Sequence, residues 1–120
     1  MKLSTGPAKR TVSKKGLKEP VSALSHMLGA VLAIIGTIVL LQQVNHPVDK
    51  LALAIFGASL ICLYLASTIY HALNVSVEIN LILRKIDHLM IYVLIAGTYT
   101  PLCLIALTGA WGTALLIAIW

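Results

Sequence analysis

The chain has 120 residues, of which 59% are apolar and only 11% are charged, and its formal net charge is +5. A soluble domain usually has about a quarter of its residues charged, so this composition excludes an ordinary soluble protein and indicates an all-α integral membrane protein. Six of the nine cations precede residue 20, which predicts a basic tail over residues 1–18 and a transmembrane domain over residues 19–120. No feature of the sequence suggests nucleic-acid binding.

Three apolar runs follow the tail, and each is long enough to cross a membrane. They cover residues 21–44, 51–73 and 86–107. Each exceeds the roughly 20 residues that a helix needs to cross a ~30 Å hydrocarbon core. A fourth apolar run, residues 110–120, is too short to span. We interpret it as a truncated fourth helix, so the sequence is expected to be a fragment, or a truncated product, of a longer protein.

The distribution of cations predicts the orientation. The first run is longer than the roughly 7–15 apolar residues of a signal peptide, so we expect it to be retained, with the basic tail in the cytoplasm. Arg84 and Lys85 place the second connection on the same side. Residues 75–83 are apolar enough to lie along the membrane surface, and Ser76 is a candidate cap that would start the third helix before Ile86.

Polar side chains gather where each predicted helix meets the cytoplasm. The set comprises Glu19, Ser22, Ser25 and His26 at the start of the first helix, Ser67, Thr68, Tyr70 and His71 at the end of the second, and Asp87 and His88 at the start of the third. An ionisable residue within a span usually faces the bundle interior or a wet cavity, because exposure to lipid costs about 2.5–3.5 kcal/mol. Their common depth predicts one shared polar site.

Helical spacing narrows the candidates but leaves the chemistry open. Ser67 and His71 are four residues apart and share a face, whereas Asp87 and His88 diverge by about 100° and are not expected to point at one centre. Asp87 is the better inward candidate, because an exposed carboxylate there would have no partner. A histidine, a carboxylate and a hydroxyl suit a zinc site, although the sequence has no HExxH or CxxC motif. Two other interpretations stay open. His71 could bond Ser67 or Asp87 and tie two helices together, or the side chains could relay protons.

Two features predict helix shape and packing. One face of the first predicted helix combines polar with small residues, namely Ser22, His26, Gly29, Ala33 and Gly36. Small residues allow helices in a membrane to approach closely, so we expect this face to pack against another helix. Pro101 lies inside the third run and predicts a kink there.

The motifs resemble those of a known family. The stretches "STIYHALN" (67–74) and "RKIDHLMIYVLIAGTYTP" (84–101) resemble the central signature of the hemolysin III family. That family belongs to the progestin and adipoQ receptor group of seven-helix membrane proteins. The stretch "EPVSALSH" (19–26) resembles the first motif of the group, an acid followed by a small polar residue and then Ser-His. The similarity covers residues 19–120, and "GTYTP" resembles the bacterial branch, which implies a bacterial inner membrane.

The resemblance implies a zinc ion at the cytoplasmic side of a seven-helix bundle. It implies that His71 is one of three histidine ligands, that Asp87 holds the attacking water, and that Ser67 lies beside them. In similar proteins the other two ligands come from an HxxxH motif in the last helix, and this chain contains no such motif. The missing C-terminal helices are therefore expected partners of this segment, together with membrane lipids and a lipid-like substrate.

The resemblance implies three different functions. Relatives in the wider group suggest a zinc-dependent hydrolase of lipid amides or a protein of membrane homeostasis. The family name suggests a pore-forming or hemolytic protein, although the spans are too apolar to line a wide channel as a monomer. A receptor or sensor with a structural polar site is the third alternative, and the sequence alone does not establish an enzyme.

Overall fold

The structure, a computed structural model, describes residues 16–120, and all the regular secondary structure in that range is helical. Its helices are α1 (Pro20–Gln43), α2 (Pro47–Ala72), α3 (Val77–Pro101) and α4 (Ala110–Ile119), with a π-helical segment at Leu102–Ala106 between α3 and α4. By length and composition, α1, α2 and α3 with its π-helical continuation can each cross a membrane. The predicted all-α fold with three long helices and a short fourth is confirmed. Residues 1–15 of the predicted tail lie outside the described range.

The helix boundaries differ from the apolar runs where polar residues belong to a helix end. Helix α2 begins at Pro47, with Asp49 in its first turn, because proline and acids are both favourable at a helix N-terminus. Helix α3 begins at Val77, where Ser76 Oγ accepts a hydrogen bond from the amide of Ile79 at 3.5 Å. The predicted cap at Ser76, which would start the third helix before Ile86, is confirmed. That residues 75–83 lie along the membrane surface stays a prediction.

Helix α2 packs between α1 and α3, and glycines mark the closest approaches. A Cβ atom built on Gly29 of α1 would lie 2.6 Å from Cε1 of Tyr64 on α2. A Cβ on Gly97 of α3 would collide with Ser59 of α2. Small residues therefore set how closely the helices approach at these two positions. On the predicted face of α1 this holds at Gly29, whereas a Cβ atom on Gly36 would meet nothing within 4 Å. Next to these contacts, an apolar groove of about 270 Å³ runs between α1 and α2, from Gly29 and Tyr64 to Leu40.

Helix α3 loses its regular α-helical geometry at Pro101, the position where a kink was predicted. Proline has no amide hydrogen and cannot continue the hydrogen-bond ladder, and residues 102–106 form a π-helical turn. Thr100 donates its hydroxyl hydrogen to the carbonyl of Ala96 at 2.8 Å and accepts a hydrogen bond from the indole of Trp120 at 3.0 Å. The end of α4 is thereby tied to α3.

Candidate functional site

The candidate site lies at the end of the bundle where α1 begins, α2 ends and α3 begins, hereafter the polar end. Glu19 is the residue immediately before α1, and His71 lies in the last turn of α2. The two helices run antiparallel, so these residues meet although they are far apart in the sequence. His26 and Ser67 lie further into the same two helices.

Glu19 and His71 form the shortest contact of the site. Oε2 of Glu19 lies 2.6 Å from Nδ1 of His71. An ionised carboxylate can only accept, so Nδ1 must donate, and a neutral ring in this arrangement has its lone pair at Nε2. The His71 side chain is 18% exposed and the Glu19 side chain 46%. The carboxylate therefore holds an imidazole that is turned inward.

His26 and Ser67 form a second pair beside the first. Nδ1 of His26 lies 2.7 Å from Oγ of Ser67, and Ser67 is buried. The ring centroids of His26 and His71 are 5.3 Å apart in an edge-on arrangement. Glu19, His71, His26 and Ser67 therefore form one connected group, which we call the histidine cluster.

Removing the Ser67 hydroxyl tests the second pair. We expect Ser67→Ala to lower the free energy of unfolding by about 1–3 kcal/mol, because it leaves a polar atom of His26 without its partner at a part-buried position. Ser25→Ala is the matched control, since the Ser25 hydroxyl is exposed and donates to the carbonyl of Ser22 in its own helix. Denaturation of both variants in detergent measures the difference. Equal losses would show that the Ser67–His26 bond contributes nothing specific.

The structure separates the two neighbouring candidates on α3, as their helical spacing predicted. The Asp87 side chain is 17% exposed and the His88 side chain 60%. His88 donates from Nδ1 to the carbonyl of Arg84 at 2.7 Å, within its own helix. Asp87 lies 4.0 Å from Nδ1 of His88, and within residues 16–120 it makes no hydrogen bond to the histidine cluster.

The two serines at the start of α1 also bond within their own helix. Ser25 Oγ donates to the carbonyl of Ser22 at 3.0 Å. The structure thus brings together four of the candidate residues in the histidine cluster. Among the described residues, no hydrogen bond joins Ser22, Ser25, Asp87 or His88 to that cluster. His71 bonds Glu19, and not Ser67 or Asp87 as the helix-tying interpretation assumed.

Sequence reasoning placed Glu19 at the right depth but did not pair it with His71. The two residues are 52 positions apart, and spacing within one helix carries no information about such a contact. The order of the helices could have indicated the contact. Glu19 immediately precedes α1 and His71 lies at the end of α2, so an antiparallel pair of helices places both at the same end.

The histidine cluster alone does not provide a complete metal site. Within residues 16–120, no group of three or more histidine, cysteine, aspartate or glutamate side chains is placed to hold a metal ion. A catalytic zinc site uses three protein ligands. The residues that the structure describes therefore contain no complete set of that kind.

Comparison with known proteins places the chain in a family. A family model described as "Haemolysin-III related" matches residues 15–120. The chain belongs to the hemolysin III family. It is 39% identical over 106 residues to a hemolysin-3 homolog of Bacillus subtilis (strain 168), an alignment that covers 86% of this chain and 49% of the relative. It is 38% identical over 106 residues to hemolysin-3 of Bacillus cereus, covering 86% and 48%.

The hemolysin III family assignment confirms the resemblance drawn from the motifs. The chain spans about half the length of the curated relatives it matches. No solved structure matches the chain significantly. The sequence relatives therefore establish the family, and the helical arrangement described above rests on the structure of this chain.

Proposed function

We propose that this chain contributes half of the active site of a zinc-dependent, membrane-buried hydrolase that acts on lipid amides. The observation that carries the proposal is the histidine cluster, in which two imidazoles, a hydroxyl and a carboxylate from two helices meet at one end of the bundle. Such residues are costly within apolar spans and usually mark a functional site. The resemblance of the motifs to the progestin and adipoQ receptor group favours the same interpretation.

The described residues support the following roles. His71 would bind zinc through Nε2, because its Nδ1 is engaged with Glu19. Ligating histidines commonly donate their other ring nitrogen to a carboxylate in this way. The remaining ligands would come from later helices of the same protein. When bound, zinc would polarise the amide carbonyl and favour ionisation of water.

Two further residues would serve the reaction from this chain. Asp87, whose carboxylate is mostly buried at the start of α3, would accept a proton from the attacking water. Ser67 would hold His26 through their 2.7 Å hydrogen bond. That bond keeps the His26 ring beside His71, where a polar substrate group could be bound.

We further propose that the polar end faces the cytoplasm of a bacterial inner membrane. Arg84 and Lys85 lie near the start of α3, at this end, and the basic tail precedes α1. Lysine and arginine accumulate in cytoplasmic connections of membrane proteins. Fusion of a reporter enzyme after residue 45, in the α1–α2 connection, would test the orientation, because that position should lie outside the cytoplasm.

An amphiphilic substrate suits the surroundings of the cluster. The apolar groove between α1 and α2 is bounded by Tyr64, whose ring centroid lies 6.1 Å from that of His26. An acyl chain lying in this groove would place a polar amide next to the histidine cluster. Because the apolar groove adjoins the polar site, a substrate with an acyl chain fits both.

The proposal is tested by measuring bound zinc and lipid-amide turnover in the natural full-length protein. We expect about one zinc ion per molecule and hydrolysis that is lost when a chelator removes the metal. Zinc without turnover would favour a sensory or structural site. The names of the relatives refer to hemolysis, so leakage of a dye from vesicles without dependence on metal would favour a pore instead.

A further inference from the structure

The last turn of α2 is capped by residues that precede α1. The final four carbonyl groups of a helix have no partner within the helix. In α2 these belong to Ile69, Tyr70, His71 and Ala72. The first accepts a hydrogen bond from the amide of Leu73 at 3.1 Å. The other three need partners from elsewhere, because an unsatisfied backbone group is expensive where lipid excludes water.

Lys18 and Glu19 supply all three of those partners. The Glu19 amide donates to the carbonyl of His71 at 2.9 Å, and the Lys18 amide donates to the carbonyl of Ala72 at 3.3 Å. Nζ of Lys18 donates to the carbonyl of Tyr70 at 3.4 Å. Two consecutive residues therefore complete the hydrogen bonding of the helix end that carries His71.

The Lys18 side chain extends this connection to α3. Its Nζ lies 3.7 Å from the centre of the Tyr70 ring, a cation–π arrangement, and donates to Oδ1 of Asn80 at 2.9 Å. A lysine that served only as a topology charge would need none of these contacts. Lys18 instead joins the residues before α1, the end of α2 and the beginning of α3.

Glu19 directs its carboxylate away from its own helix. It stands at the N-cap position of α1, where an acidic side chain would ordinarily accept a hydrogen bond from the first-turn amides. Its side chain makes no such bond. The carboxylate lies against Nδ1 of His71 instead. The same residue therefore bonds His71 twice, through its amide to the backbone and through its carboxylate to the ring.

We propose that Lys18 and Glu19 form a clasp that positions His71. The two amides and the Lys18 side chain hold the end of α2 in place, and the Glu19 carboxylate keeps the proton of the ring on Nδ1. The clasp thereby presents the Nε2 lone pair in a fixed direction. Its geometry is independent of any metal, whereas its benefit for zinc binding rests on the proposed function.

The state of the His71 ring tests the clasp without metal. In the chelator-treated full-length protein, nitrogen-15 spectra of the imidazole should show the proton on Nδ1. Glu19→Ala should convert the ring to a mixture of both tautomers, whereas Glu19→Gln should retain the wild-type form, because its side-chain oxygen can still accept. Asp49→Asn is the matched control, since Asp49 lies 3.8 Å from another histidine, His46, outside the polar end. An unchanged tautomer in Glu19→Ala overturns the proposal.

Zinc affinity measured on the same variants separates the clasp from the proposed function. Glu19→Ala should weaken binding of zinc alone by about 10–100-fold, the usual effect of losing a residue that orients a ligating histidine. Glu19→Gln should lose less zinc affinity than Glu19→Ala, and Asp49→Asn should lose none. If Glu19→Ala binds zinc as tightly as the wild type, the clasp does not assist zinc binding. If the wild type binds no zinc, the proposed function fails, while the nitrogen-15 result still decides whether Glu19 positions the ring.

Hydrogen exchange tests the contribution of Lys18. Lys18→Met keeps the backbone amide and the aliphatic stem but removes the ammonium donors. Amides in the last turn of α2 should exchange about fivefold faster, as expected for the loss of one ordinary hydrogen bond. Lys50→Met, at the opposite end of α2, should leave those amides unchanged. Equal protection in the two variants would contradict a role for the Lys18 side chain in the clasp.

Discussion

Replacing His71 with alanine should reduce zinc binding by more than about 100-fold, the largest effect that we expect from any single substitution. The change removes a proposed ligand, so it should exceed the roughly 10–100-fold effect typical of residues that only orient a ligand. Stability should fall by only about 0–1 kcal/mol from loss of the contact to Glu19, because that carboxylate is 46% exposed and can be hydrated. Metal content and a competition titration compare the zinc affinity of His71→Ala with that of the wild type.

Two other histidines provide controls for the His71 result. His46 lies outside the polar end, in the connection between α1 and α2. His88 lies at the polar end but bonds the backbone of its own helix. Alanine at either position should leave zinc affinity unchanged. Full zinc loading of the His71→Ala protein would remove His71 from the ligand set and, with it, the proposed role of the histidine cluster.

Alanine at Gly97 should destabilise the contact between α2 and α3. The added methyl would collide with Oγ of Ser59 and lie 2.7 Å from its Cβ, and overpacking of this kind typically costs about 1–3 kcal/mol. Alanine is also more favourable than glycine within a helix by about 1 kcal/mol, and this gain partly masks the packing cost. The packing cost is therefore obtained by comparison with Gly36→Ala, because a methyl at Gly36 meets nothing within 4 Å.

The double variant Gly97→Ala with Ser59→Gly tests the cause of that loss. Removing the Ser59 side chain eliminates both colliding atoms. Ser59→Gly should therefore lower the free energy of unfolding less in the Gly97→Ala background than in the wild type. Unfolding in detergent provides the four free energies of this cycle. Additive effects would show that the two residues do not contact each other and that α2 and α3 pack differently.

Much of the fold is contained in local sequence patterns. Uninterrupted apolar runs determine three helices, because only a helix satisfies its backbone where water is absent. The boundaries were less accurate wherever polar residues take part in a helix. Arg84 and Lys85 interrupt the third apolar run, and the predicted span began after them at residue 86. Helix α3 begins at Val77, as the candidate cap Ser76 predicted, because charged side chains can extend into water while their backbone remains helical.

The sequence by itself determined which end of each helix carries the polar residues, because these residues flank the apolar runs and successive spanning helices alternate in direction. It placed Glu19, His26, Ser67 and His71 at one end without pairing them. Only the tertiary structure decided that Glu19 contacts His71 and that Ser67 contacts His26. It also decided that Lys18, assigned to the tail, caps the end of α2. The physical reason is that such contacts depend on the rotation and offset of packed helices, which are determined by side chains such as those of Tyr64 and Ser59 meeting glycines on neighbouring helices.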